Sequence, residues 1–149
     1  MSIPIKDILS NTSAERGIIS IILKDVGALT ECTANNLFAD HFAIKTNQVL
    51  YSVLAYLAEQ GTKNFDSNII YSTIQDPTAL EELNNFGGRE YIDTLIQSTV
   101  IMDNLPIYIK QVKEASLKRF VHKLGEDIQK DVVNVKDTSE MLNGVQKRI

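Results

Sequence analysis

Leu83-Asn84-Asn85-Phe86-Gly87-Gly88-Arg89-Glu90-Tyr91-Ile92-Asp93-Thr94-Leu95 is the stretch on which the reading of this chain turns. It breaks one helical pattern and begins another. Asp76-Pro77 opens the first of the two. An aspartate can cap free backbone N–H groups, and a proline at the first helical position gives up no donor the helix needs. Leu80 and Leu83 then recur at helical spacing as far as Gly87-Gly88. Adjacent glycines supply positive φ or close approach. The pair is therefore read as a structural turn that ends one helix and lets Tyr91 and Ile92 fold back onto a core. Arg89 to Gln97 is the next predicted helix, with Ile92, Leu95 and Ile96 on its inner face.

The same period continues outward from this turn. Upstream, Thr12-x-x-Glu15 has the form of a capping box. Ile18, Ile19, Ile22 and Leu23 follow at helical spacing, with Gly27 as the predicted stop. Thr33 to Phe38 reads as a short helix. Thr46 to Gln60 is longer: Val49, Leu50, Val53, Leu54 and Leu57 form one stripe, ended by Gly61. Asp66 is predicted to cap a short helix holding Ile69, Ile70 and Ile74. Downstream, Asn104-Leu105-Pro106 opens the longest pattern, which runs to about Val132. Gly125 lies inside it, at a cost of about 1 kcal/mol relative to alanine. Asp137 or Thr138 is predicted to cap a last helix carrying Met141, Leu142, Val145 and Ile149. No strand alternation, internal repeat or low-complexity tract persists. The predicted fold is all-α, a compact bundle of about six short helices followed by a protruding antiparallel helical hairpin. Residues 1–12 read as a loose arm, 13–103 as the globular head and 104–149 as the hairpin.

Bulk properties narrow the function classes. A chain of 149 residues buries roughly 68–70% of its unfolded surface, enough for one core. A net charge of −4 argues against a domain whose main task is neutralising phosphates. The single cysteine, Cys32, excludes an intrachain disulfide framework and fits a reducing compartment. The longest apolar run, Ile18 to Leu23, is interrupted by Ser20 and falls far short of the roughly 20 residues of a membrane span. With no secretory pattern at the N-terminus, a cytoplasmic protein is expected. Ile149 lies on the apolar face of the last predicted helix, where a natural terminus usually turns polar. The protein is therefore expected to continue beyond it.

The familiar catalytic patterns are missing from the sequence. A phosphate loop needs G-x-x-x-x-G-K-S or G-K-T, whose backbone amides cradle phosphates. Here Gly87-Gly88 is followed by Arg89-Glu90-Tyr91 instead. His41 and His122 have no partner at metal-ligand spacing. A nucleophile built on Cys32 has no local signature. Glu81 and Glu82 are adjacent, so on a helix they point apart. Lys110, Lys113, Lys118, Arg119, Lys123 and Lys130 make the long helix basic, diluted by Glu114, Glu126 and Asp127. These residues alone define a helical domain with an exposed hairpin.

An ordered set of landmarks goes further. It comprises Ala14-Glu15 in the first helix, Phe42, Leu50-Tyr51 with Leu57, Gly87-Gly88 with Tyr91, and Tyr108, Val112, Glu114 and Arg119 on the long helix. Together they resemble the N-terminal domain of DnaB-type hexameric replicative DNA helicases, from about Ala14 to about Asp131. The chain departs from that pattern in places. Ser20 stands where the family often has glycine, and Ala43 stands where an aromatic usually follows the phenylalanine. A typical proline and histidine are missing near Thr46 and Asn47. These departures fit a divergent member, such as a phage- or plasmid-encoded helicase.

The resemblance implies a non-catalytic collar domain that pairs with other copies of itself and docks primase, and also a helicase loader. No cofactor is expected in this chain. ATP, magnesium and DNA would belong to a motor domain outside it, and no membrane is involved. For self-association the expected surface is Leu117, Phe120, Val121, Leu124 and Ile128 on the long helix, with Met141, Leu142, Val145 and Ile149 on the short arm. That is more apolar surface than one partner helix can cover. Lys113, Glu114 and Lys118 form the expected charged rim for partner docking. A second reading is a stand-alone collar mimic that binds and regulates a host helicase or primase. A motor domain encoded past Ile149 would separate the two.

Overall fold

Asn11, rather than Thr12, starts the first helix. In the computed structural model, which describes residues 9–134, its Oδ1 accepts the Ala14 N–H at 3.0 Å. Helix α1 then runs Thr12–Lys24. The expected capping box does not form, because Glu15 points inward on the same stripe as Ile18, Ile19 and Ile22 and is only 1% exposed. Gly27 is not the stop either. The Asp25 carboxylate accepts the Gly27 N–H at 2.9 Å, a local turn that ends α1 earlier. Gly27 instead leads directly into α2, Ala28–Ala34. The helix expected over Thr33 to Phe38 is therefore displaced upstream. Asn36 adopts φ +56°, a left-handed stop that asparagine tolerates.

The remaining elements follow the predicted punctuation closely. A short 3-10 turn at Ala39–His41 precedes α3, Lys45–Glu59. Asp66 Oδ1 caps α4, Ser67–Thr73, by accepting the Ile69 N–H. Asp76 caps α5, Pro77–Asn85, with Pro77 at its first turn. Gly87 and Gly88 have φ of +127° and +62°, and Gly88 N–H bonds back to Leu83 O at 2.8 Å. Helix α6, Arg89–Gln97, starts at once. A second 3-10 turn, Met102–Asn104, leads to α7, Leu105–Asn134. No strand occurs among the described residues.

Helix α1 is the centre of the core. Ile18, Ile19, Ile21 and Ile22 are all buried, and the helix packs against α3, α6 and α7. Leu50 and Leu54 come from α3, Leu83 from α5, and Ile92 and Leu95 from α6. Each such side chain contributes about 1.5–3 kcal/mol by leaving water. The contact between α1 and α7 is close because Gly17 carries no side chain. A Cβ there would lie 2.7 Å from Tyr108 Cε2. The first half of α7 belongs to this core: Leu105, Ile109, Val112 and Ala115 are buried. From Ser116 through Val133 no side chain of α7 is fully buried. The predicted return arm, with Asp137, Thr138, Met141, Leu142, Val145 and Ile149, lies outside the described residues, as do residues 1–8 of the predicted arm.

Candidate functional site

The outer half of α7 exposes a run of large apolar side chains. Leu117, Phe120 and Val121 are 62%, 60% and 57% exposed. Leu124 and Ile128 are half-buried. Their spacing of three and four residues places all five on one stripe. Beside the stripe lies an open cleft of about 660 Å³, lined by His41, Ile109, Lys113, Leu117 and Phe120 among others. Apolar groups exposed together in this way are uncommon on a surface with no partner.

Most basic residues of α7 are already engaged. Lys113 Nζ donates to Asn35 O at 2.7 Å, satisfying a carbonyl just past the end of α2. Arg119 donates through Nη1 to Leu9 O at 2.8 Å and through Nη2 to His41 O at 2.7 Å. Lys110 pairs with Glu114 at 4.0 Å and Lys123 with Asp127 at 3.3 Å, each one turn apart. His122 Nε2 lies 2.8 Å from Glu126. Of the expected rim, Lys118 stays exposed, Glu114 faces solvent beside Lys110, and Lys113 is tied to the head. Lys113 and Arg119 are thus committed to backbone carbonyls of the head, whereas the pairs of Lys110 and Lys123 are solvent-exposed and weak.

Two of the landmarks read from the sequence, Glu15 and Tyr91, meet through Asn47 in one buried polar network. Glu15 of α1 accepts the Ala43 N–H at 2.7 Å, the Ile44 N–H at 3.3 Å and Asn47 Nδ2 at 3.0 Å. Helix α3 has Ile44 at its cap and no side-chain cap of its own. A carboxylate from another helix instead holds the two backbone N–H groups just before α3, where it suits the positive end of the helix dipole. Tyr91 of α6 closes the network by donating its hydroxyl to Asn47 Oδ1 at 2.6 Å. Burial pushes the Tyr91 phenol up to about 12. Tyr51 packs its ring on Phe42 at 5.1 Å and donates to Leu37 O at 2.7 Å. Burial raises its phenol too. The Cys32 thiol is pushed up to about 12, first by burial and then by Glu31, which keeps it protonated.

The sequence reading missed these roles of Glu15, Asn47, Gly17 and Arg119. Glu15 carried a usable signal, an acid set on an otherwise apolar helical stripe. Ser20 is also buried on α1, and its hydroxyl has no hydrogen-bond partner among the described residues. This is one of the positions where the chain departs from the resembling pattern. Among the described residues no group of His, Cys, Asp and Glu is placed to hold a metal ion. None of the described helices is long and apolar enough to cross a membrane.

Fold and surface together define an all-helical domain whose last described helix projects an amphipathic face beyond the core. Residues 7–114 match the DnaB-like helicase N terminal domain, and the chain belongs to that family. It is 25% identical over 136 residues to the SPbeta prophage-derived uncharacterized protein YorI of Bacillus subtilis, covering 88% of this chain and 27% of that protein. It is 26% identical over 140 residues to the replicative DNA helicase DnaC of Bacillus subtilis, covering 93% and 30%. It is also 26% identical over 133 residues to the replicative DNA helicase DnaB of Rickettsia felis, covering 89% and 26%. The chain thus spans less than a third of the length of these relatives. The fold is similar to the crystal structure of the N-terminal domain of DnaB helicase from Mycobacterium tuberculosis. That match has a TM-score of 0.78 at 19% identity and covers 93% of this chain and 96% of that one.

Proposed function

We propose that this domain is the non-catalytic collar of a hexameric replicative DNA helicase. It pairs subunits through α7 and docks primase, and a helicase loader, on surface that includes the same helix. The observation that carries this reading is the apolar stripe Leu117, Phe120, Val121, Leu124 and Ile128 on a domain of the DnaB-like N-terminal family. A helix that mixes apolar and charged residues suits a helix-on-helix interface. ATP, magnesium and DNA are handled by a motor domain outside this chain, and the protein works in the cytoplasm. One collar binds primase modestly, and a ring of collars binds it more tightly through multivalency.

Two measurements test the reading. The chain is titrated with the primase of its own replication system, beside a single-stranded DNA control. Saturable primase binding with weak, salt-sensitive DNA binding supports it. Tight DNA binding that survives physiological salt, with no response to primase, overturns it. Sedimentation of the native chain and of Leu124→Glu tests pairing: self-association should fall in the variant while the head stays folded. A native chain that remains strictly monomeric at high concentration removes the pairing role.

A further inference from the structure

From the two bonds of Arg119 we infer that this residue is the clasp that sets the direction in which the outer half of α7 leaves the head. This rests on the pairing role proposed above, and adds to it what aims the pairing face. Burial along α7 ends at Ala115. One turn further on, Arg119 ties the helix to the head through two bonds. Its guanidinium is planar, with donors fixed in a fork. One branch holds the carbonyl of Leu9, where the chain leads into α1, and the other holds the carbonyl of His41 in the turn before α3. Neither bond is to a carboxylate, so the residue fixes backbone position rather than balancing charge. The same turn is braced from its other side, where His41 Nδ1 accepts the Phe38 N–H at 2.9 Å.

Lever geometry gives the clasp its effect. Beyond Arg119 the helix runs 15 residues to Asn134, which is about 22 Å at 1.5 Å per residue. A swing of about 10° at the clasp moves the tip by about 4 Å, most of one helical turn along a partner. Ridges-into-grooves packing tolerates little of that. The stripe Leu117, Phe120, Val121, Leu124 and Ile128 lies on either side of this fulcrum. α7 is one continuous helix, so what the clasp restrains is bending and tilt beyond Ala115; left free, these would spread the stripe over a range of directions.

The test is a distance distribution within one molecule. Spin labels are placed on the 149-residue chain at Glu59→Cys in the head and Gln129→Cys on the outer helix, both exposed positions. Cys32 is buried and its thiol held protonated, so it stays unlabelled. Labelled protein is diluted into unlabelled protein so that only intramolecular distances are read. In the native chain the distribution should be narrow. In Arg119→Met it should broaden at least twofold, and in Arg119→Lys, where one ammonium cannot bridge both carbonyls in the same fork, it should lie between. Self-association, read by sedimentation on the same samples, should weaken in the same order by roughly threefold to tenfold. If Arg119→Met does not fold, Arg119→Lys against native carries the comparison. An unchanged distribution in a folded variant overturns the clasp. A broadened distribution with undiminished pairing shows that the clasp does not aim the interface, and overturns the inference. A chain that never pairs removes the pairing role, while the width of the distribution still judges the clasp.

Discussion

Gly17→Ala is expected to strain the seam between α1 and α7. A methyl group on Gly17 would lie 2.7 Å from Tyr108 Cε2, 2.9 Å from Cδ2 and 3.1 Å from Cζ. Comfortable carbon–carbon contact is about 3.5–4.0 Å, so ring or helix must give by about 1 Å. The ring is the rigid end of a side chain on a helix anchored by buried Leu105, Ile109 and Val112. It cannot retreat as a flexible tail would. Overpacking of this kind costs about 1–3 kcal/mol. Against it stands about 1 kcal/mol gained when alanine replaces glycine inside a helix. The net expectation is a loss of about 1 kcal/mol, or roughly 2–4 °C in Tm for a chain of this size. Tyr108→Leu removes the obstacle. In that background Gly17→Ala should turn stabilising by up to about 1 kcal/mol, which couples the two sites by about 2 kcal/mol. Thermal denaturation of the native chain, both single variants and the double variant, followed by far-UV circular dichroism, measures the cycle. A higher Tm for Gly17→Ala in the otherwise native chain, or the same change in both backgrounds, would refute the reasoning.

Other expectations follow from the same interior. Glu15→Ala strands the N–H groups of Ala43 and Ile44 and the amide of Asn47; at about 1.5–3 kcal/mol per bond to a charged acceptor, urea denaturation should show a loss of roughly 3 kcal/mol or more. Gly88→Val places a β-branched residue at φ +62°, and a Tm lower by the equivalent of at least about 1–2 kcal/mol is expected. If stability held and partner binding vanished instead, the turn would be a binding element. Ser20→Ala removes a buried hydroxyl that has no partner, so it should be neutral or stabilising by up to about 1 kcal/mol; clear destabilisation would mean the hydroxyl is satisfied. In alkali, the Tyr91 phenol of the folded chain, pushed up to about 12, lies above its unfolded value of about 10. The folded state then keeps a proton that the unfolded state has lost, so this contribution is intact below about pH 10 and disappears as pH rises through the folded value. Urea midpoints should decline above about pH 10 and decline less in Tyr91→Phe; identical slopes in the two proteins would contradict the assignment.

Local punctuation made much of this fold legible. Asp66, Asp76-Pro77 and Gly87-Gly88 act within a few residues of themselves, so the sequence window that contains them also contains their partners. The spacing of Leu50, Leu54 and Leu57 likewise marked the inner face of α3. The reading failed where a side chain had two local options or a distant one. Asn11 and Thr12 both could cap α1, and the amide oxygen of Asn11 reaches Ala14. Asn35-Asn36 ends a helix rather than continuing one, which sets α2 upstream of the expected Thr33 to Phe38. Glu15, Lys113 and Arg119 bond to backbone groups 28, 78 and 110 positions away. A bond to a backbone carbonyl or N–H leaves no pattern, because every residue carries both. The stripe on α7 was legible as periodicity, but periodicity does not tell a face turned to the core from one turned to a partner.

The contact of Glu15, Asn47 and Tyr91 bears on how such a chain can drift. Three positions 32 and 44 residues apart share one acid, one amide and one phenol, each serving the next. A change at any one of them orphans a group on another helix, so a substitution that is harmless on its own element is costly to the other two. Single replacements at these positions each carry that cost, which an exposed residue with no buried partner does not. Double and triple replacements that convert the whole relay to apolar side chains of similar volume therefore mark a different evolutionary path from the single replacements. They can be more stable than any of the intermediates that separate them from the present chain.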